Sequence, residues 1–477
     1  MVILGGSVLV GRNCRKLMKD LDIQGMLLPN RACTWAFRLQ IFMDQILQQP
    51  GVMEITKISM GGTNTAVGAQ IFEYDLLPEA ARNPDIVLNA YSTNDMHVLT
   101  ILQAKSGNQT LRDRVFEITQ EFVRVVLDKR PCQTHHQPLL LHMDDYLGNE
   151  QRQVWATTEL SQGVSVLAHY YGFATMSYAN VVRHWVYGDT RETWFSPEGW
   201  YDGTKTEMKR EIHPGMGMHI TATWVVAYNL LNLVTTFCSL EPWLAEQSQD
   251  SMDYSKSWLA DTIPLTGYKS DVPGKPKIPP QILPPLLTQE LSLETISSDW
   301  QVADELQRSS LESINCSKQA GLPRCIFSWV SGMSQQHDNK TWVEEYFGAN
   351  QIENKGWKIV DDGGKLGFSP LAVGDEVALE FMLSQDIQTV TFFTLKSYGP
   401  KWEHSKLLVT IEGRSGNGDW EEVGRDEILG VHNKETSEVY TRAIKLADEA
   451  KEGTLLRIRY KLESGATFKV MGLAVCS

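Results

Sequence analysis

Cysteine is scarce and never closely paired. The seven cysteines among 477 residues (Cys14, Cys33, Cys132, Cys238, Cys316, Cys325, Cys476) include no CxxC, which excludes a zinc ribbon or a thioredoxin-type motif. Phosphate-gripping loops are missing too. Gly6 and Gly11 have Walker-type spacing, but Arg12 and Asn13 stand where lysine and a hydroxyl residue would hold phosphate and magnesium, and no GxGxxG is present here. Positive charge is in deficit: 44 Lys and Arg against 58 Asp and Glu leave −14. Such a surface repels a polyanion such as nucleic acid and suits a neutral substrate. His135-His136, His142 and Asp144-Asp145 repeat no ligand spacing, and adjacent histidines on a strand point apart, so neither metal nor cofactor is expected. No signal peptide is visible, because Met1 is followed at once by Val2-Ile3-Leu4. The stretch from Pro214 to Ser239 has no Asp, Glu, Lys or Arg. It also contains His219, Thr221, Thr223, Asn229 and Asn232, which marks a buried core helix rather than a membrane span.

What is present is enough for two cores. Single cores stop growing near about 250–300 residues, and 42% hydrophobic with 21% charged residues is ordinary globular composition. Residues 1–240 alternate short apolar runs with longer helical stretches such as Leu111–Leu127. Strands are expected at Val2–Leu4, Ile55–Ser59, Asp85–Tyr91, Leu139–Met143 and Ala174–Tyr178, the pattern of a three-layer α/β domain with a flavodoxin-like parallel sheet. Seven prolines between Pro264 and Pro285 make 241–295 an extended connector. From 296 to 477 strands are expected at Glu376–Leu383, Thr389–Lys396, Lys406–Glu412, Thr454–Leu462 and Thr467–Val475, an antiparallel β-sandwich. Sequons at Asn108, Asn315 and Asn339, together with a short loop that a Cys316–Cys325 disulfide would close, fit the secretory pathway or an extracellular setting.

The chemistry-bearing residues fall at strand ends. Ser7 follows the first strand and Gly5-Gly6, ahead of a helix expected around Arg15–Leu21, so its hydroxyl belongs at the carboxyl edge of the sheet, where open α/β sheets bind ligands. The second strand ends in Gly61-Gly62-Thr63-Asn64 and the third in Ser92-Thr93-Asn94-Asp95. Main-chain N–H groups and the Asn94 amide there can stabilise a developing oxyanion without adding charge. His213-Pro214 opens a later helix, with Pro214 suited to its first position, and leaves the imidazole free to reach a serine hydroxyl. His219, six residues on, points to another face.

These four blocks, in this order over residues 1 to about 240, resemble the SGNH/GDSL serine hydrolases. They are closest to a polysaccharide-associated branch with Gly-Gly-Ser as the first block and a β-rich domain behind it. The resemblance implies that Ser7 is the nucleophile, that Gly61 or Gly62 and Asn94 complete the oxyanion hole with the Ser7 amide, and that His213 is the general base. It implies cleavage of an ester, a carbohydrate O-acyl or O-acetyl ester, through an acyl-enzyme with no cofactor. One position departs: Arg210 stands where the family has the triad aspartate. Glu211, Asp202 or Glu207, or a main-chain carbonyl, is left to orient the imidazole. The same serine chemistry serves a polysaccharide O-acyltransferase, and a weakly catalytic glycan-binding protein would accommodate Arg210. In the second domain Tyr398, Trp402 and Trp420 are read either as a sugar-stacking platform or as core.

The proline-rich connector predicts that limited proteolysis cuts first between residues 245 and 295. Cleavage scattered through 300–470 with the connector resistant would contradict the two-domain reading.

Overall fold

The structure, a computed structural model, describes residues 1–11, 14, 33–78, 81–82, 84–96, 111–128, 138–145, 154–178, 180–181, 216–247, 325–330, 348–361, 365–416, 418–432 and 437–476. The chain divides into two compact units. The first takes 1–57, 64–69 and the described residues of 83–320; the second takes 58–63 and the described residues of 70–82 and 321–477.

Five short segments form strands β1 (Val2–Gly5), β2 (Thr56–Ser59), β3 (Ile86–Ala90), β4 (Leu139–Asp144) and β5 (Ala174–Ser177). Helices α1 (Ser7–Val10), α2 (Trp35–Leu47), α3 (Thr65–Glu73), α4 (Leu111–Asp128), α5 (Val154–Tyr171) and α6 (Met216–Gln247) connect or follow them. The sheet order is β2-β1-β3-β4-β5, and β1 with β3, β3 with β4 and β4 with β5 are parallel. Ile3, Leu88, Leu141 and Met143 face a core shared with Trp35 and Leu39 of α2 and with Ala222 and Val226 of α6. Their neighbours on the opposite face, Val2, Leu4, Val87 and Leu140, are buried as well. Burial on both faces explains why the central strands β1 and β3 read as apolar runs. Gly163 brings α5 onto α4, since a Cβ there would lie 2.8 Å from the Arg112 carbonyl oxygen. No described helix is long and apolar enough to cross a membrane.

The second unit is an antiparallel β-sandwich. Its strands are β6 (Cys325–Val330), β7 (Gln351–Lys355), β8 (Trp357–Asp361), β9 (Leu366–Pro370), β10 (Glu376–Met382), β11 (Ile387–Lys396), β12 (Lys406–Ser415), β13 (Glu421–Leu429), β14 (Glu438–Ala450), β15 (Thr454–Ser464) and β16 (Val470–Cys476). They form sheets ordered β13-β12-β15-β10-β7 and β14-β11-β16-β9-β8, with β6 added to β16. The alternation along β12 and β15 sends Leu407, Val409, Ile411, Leu456, Ile458 and Tyr460 into one core with Val390, Phe392, Leu473 and Val475 of the facing sheet.

On the outer face of the first sheet Arg457 sits opposite Glu380 in the β10–β15 register and donates to it at 2.5 and 2.8 Å. Arg459 donates to Glu376 at 2.8 Å and Glu412 at 3.1 Å. The aromatic platform is not assembled. Trp402 is buried, Trp420 lies under the guanidinium groups of Arg414 and Arg457, 4.5 and 3.7 Å from its ring centroid, and Tyr398 alone of the three is exposed.

The expected Cys316–Cys325 pairing is corrected: Cys325 is bonded to Cys476, and a second disulfide joins Cys14 to Cys33. The reason is register. Antiparallel pairing of β6 with β16 sets Cys325 opposite Cys476 with their Cα atoms 4.0 Å apart, a contact decided 151 residues away rather than by the nine-residue spacing. Two disulfides are compatible with an oxidising, extracellular setting. The sequons and Cys316 lie outside the described residues.

A non-reducing digest is therefore expected to yield a linked Cys325–Cys476 peptide that reductant separates. Cys476→Ser should destabilise the sandwich by about 2–5 kcal/mol in urea unfolding. A Cys316–Cys325 peptide in the digest would refute the pairing.

Candidate functional site

In the β2-β1-β3 part of the sheet the chain passes from β1 outward to β2, then back across to β3. The direction of winding therefore reverses between β1 and β3, and open α/β sheets place their ligand crevice beyond the carboxyl ends of the strands at such a switch point. Ser7 leaves β1 and Asn94 follows β3.

Ser7 is the first residue of α1, preceded by Gly6 at the cap position, and is 8% exposed. The helix thus begins at the serine itself and ends after one turn at Gly11, whose φ of 87° is left-handed; residues 15–21 lie outside the described set. Both preceding glycines are sterically required. A Cβ on Gly5 would meet the Ala90 carbonyl oxygen at 2.8 Å, and one on Gly6 would lie 2.1 Å from Asn94 Oδ1 and 2.7 Å from Asn94 Nδ2. The Asn94 carboxamide therefore fills the space beside Gly6, the residue before Ser7.

Residues 92–96, just after β3, are helical, and the helical turn that carries Asn94 is held from several directions. The Asn94 and Asp95 N–H groups both donate to the Tyr91 carbonyl, at 2.8 and 2.9 Å. Asp145, just past β4, accepts at Oδ1 from the Ser92 hydroxyl (2.6 Å), the Thr93 N–H (3.0 Å) and the Thr93 hydroxyl (2.8 Å), and its own N–H donates to Ser92 Oγ at 2.7 Å. Asp95 accepts at Oδ1 from the Thr65 N–H (2.8 Å) and at Oδ2 from the Thr65 hydroxyl (2.7 Å). Asn89 Nδ2 donates to that same hydroxyl oxygen at 3.1 Å. In the sequence Asp95 stands out only as the end of the Ser92-Thr93-Asn94-Asp95 block and Asp145 is set aside as a metal ligand, with no structural role expected of either. The only local signal was Ser92-Thr93 beside a carboxylate.

Burial pushes the Asp95 carboxyl up to about 7, against the lowering effect of its Thr65 hydrogen bonds and with the Asp145 charge adding to the rise. Burial raises Asp145 too, opposed by its Ser92 and Thr93 hydrogen bonds. The two described imidazoles of this unit that are fully buried shift the other way. Desolvation brings His142 down to about 4 and, aided by the Arg38 and Lys57 charges, His219 down to about 3. His219 is a core residue whose Nδ1 accepts the Trp35 N–H at 3.3 Å.

Of the residues named from sequence, the structure brings Asn94 against Gly6, next to Ser7 in the chain. Gly61 and Gly62 form the turn after β2, where Gly62 has a φ of 83° that favours glycine, and they belong to the second compact unit. His213, Glu211, Arg210, Glu207 and Asp202 lie outside the described residues. Among the described residues no cluster of His, Cys, Asp or Glu has metal-binding geometry.

No protein-family model matches the chain, and no curated protein matches it. Solved structures similar to parts of it include a lipase from a goat rumen metagenome (12% identity, 47% of this chain and 94% of that one, TM-score 0.33). Others are an α/β hydrolase enzyme from the metagenome of Lake Arreo, Spain (13%, 47% and 93%, 0.32) and a β-1,3-glucan-binding module, CBM6, from Bacillus halodurans (15%, 27% and 90%, 0.20). At these scores the likenesses carry no weight for mechanism or ligand.

The raised Asp95 group sets a pH dependence. Its folded value lies above its unfolded one, so between pH 3.8 and about 7 the folded state keeps a proton that the unfolded state has lost. That stabilisation is complete below pH 3.8 and is lost as pH rises through 7, by up to about 4 kcal/mol at 1.36 kcal/mol per pKa unit. The depressed histidines act oppositely, losing stability as pH falls below 6.5. Comparing Asp95→Asn with wild type cancels them: in urea unfolding at pH 4, 5.5 and 7 the variant should gain on wild type at each step upward. Parallel curves would refute the shift.

Proposed function

We propose that the first unit is a serine esterase of the SGNH type, on a flavodoxin-like sheet, cleaving a carbohydrate O-acyl ester. The observation that carries this is the Asn94 carboxamide packed against Gly6, the residue before Ser7, at the β1/β3 switch point. A nearly buried serine and an uncharged amide donor converging there are what acyl transfer requires, a nucleophile beside a preorganised donor for the tetrahedral oxyanion. The strand order β2-β1-β3-β4-β5 is that of doubly wound flavodoxin-like sheets, which supports the same family. The carbohydrate part of the reading rests on the Gly-Gly-Ser block and on the sandwich behind the catalytic unit.

In this mechanism His213 takes the Ser7 hydroxyl proton as Oγ attacks the ester carbonyl. The Ser7 and Gly61 or Gly62 N–H groups and the Asn94 amide hold the oxyanion, and the protonated imidazole delivers its proton to the leaving alcohol. Water, deprotonated by His213, then attacks the acyl carbonyl; the bond to Ser7 Oγ breaks, the carboxylic acid leaves, and the imidazolium returns its proton to Oγ. Glu211, Glu207 or Asp202 orients His213 in place of the aspartate that Arg210 displaces.

Ser7→Ala and His213→Ala should each cut ester turnover by at least about a thousandfold with the fold intact, and the double variant should match the worse single one. Asn94→Ala should cut it by about a hundredfold or more while Ser7 still reacts with a fluorophosphonate. Full turnover in Ser7→Ala would sink the assignment.

A further inference from the structure

Asn94 lies in the first helical turn after β3, and the residues around it are all buried: Ser92, Thr93 and Asp95 retain at most 7% exposure, and Asp145 4%. Upstream, Asp145 gathers three donors from Ser92 and Thr93 and returns its own N–H to Ser92 Oγ, closing a ring between the end of β4 and the turn after β3. Downstream, Asp95 is tied through both carboxyl oxygens to Thr65, the first residue of α3. We propose that Asp145 and Asp95 are positioning residues that clamp this turn from both sides and aim the Asn94 carboxamide at the oxyanion formed on Ser7 attack, an inference that rests on the serine-esterase reading.

Chemistry favours aiming over mere closure. Two desolvated carboxyl groups are a costly way to close a loop, since apolar groups of similar size usually fill such a site as well or better. What carboxylates add is direction. Each fixes several donors at hydrogen-bond distance at once, and an oxyanion donor displaced by about 1 Å loses on the order of a hundredfold in rate. Asn94 touches Gly6 with no gap to absorb such a displacement.

The test is steady-state turnover of 4-nitrophenyl acetate by the full-length chain. Asp145→Asn, which replaces an acceptor oxygen by a donor, should lower kcat by about ten- to a hundredfold with KM changed less than about twofold. Thr93→Val, which removes one donor and keeps the side-chain shape, should lower kcat by about three- to tenfold, and it carries the test should Asp145→Asn fail to fold. Because both act through Asn94, neither should lower kcat further in an Asn94→Ala background. Equal fold losses in both backgrounds would assign the carboxylate to fold maintenance and overturn the proposal. So would full kcat in Asp145→Asn or, where that variant does not fold, in Thr93→Val; with fluorophosphonate still labelling wild-type Ser7, either outcome leaves the esterase reading standing. Absence of that label together with full turnover in Ser7→Ala would overturn the esterase reading and the inference together.

Discussion

The contact between the Asn94 side chain and Gly6 depends on pairing several residues earlier. Parallel register puts Val2 opposite Val87 and Gly5 opposite Ala90, so the segments leaving β1 and β3 emerge side by side. The approach is so close that a methyl group at either glycine would strike backbone or carboxamide. Ser7 gets its place from the same constraint. The tight Gly-Gly step lets α1 start at once, and the left-handed Gly11 ends it one turn later. A substitution at Gly6 would displace Asn94 before it disturbed the sheet.

Legibility in the sequence followed burial. The strands of the parallel sheet were readable to within one residue at each end, the central β1, β3 and β4 because a sheet covered on both faces leaves runs of Val, Ile and Leu. The sandwich was half readable. Strands β10, β11, β12, β15 and β16 were readable, β12 and β15 by strict alternation, whereas β6 to β9 were not expected and neither β13 (Glu421–Leu429) nor β14 (Glu438–Ala450) announced itself. Both close a sheet at its edge, where charged side chains protect against foreign pairing. Their composition, rich in Glu, Arg, Lys and Ala, reads locally as helical or polar. What makes them strands is the ladder offered by β12 and β11, which no local window contains.

For the site, residues announced by glycine and turn chemistry were visible and those acting through burial were not. Ser7, Asn94 and the Gly61-Gly62 turn carry local signatures. Asp145 carries none, since Asp144-Asp145 in isolation resembles a solvated pair, and only the β3–β4 pairing brings it under Ser92 and Thr93. The same limit explains the disulfide: spacing favoured Cys316, while register chose Cys476.

The carboxyl next to Asn94 raises an electrostatic question for the proposed chemistry, because a fixed negative charge there would oppose a second one developing on a substrate oxygen. The fold answers it twice. Burial lifts Asp95 to about 7, so below neutrality the group is mostly uncharged. When it does ionise, the Thr65 N–H and hydroxyl both point at its oxygens and hold the charge on the α3 side. Asn94, by contrast, cannot ionise and keeps its N–H donors at every pH. With Asp95 mostly uncharged below neutrality, the amide donor beside it is held without a standing negative charge from that neighbour at the oxyanion position. That combination would fail if Asp95 and Asn94 exchanged places.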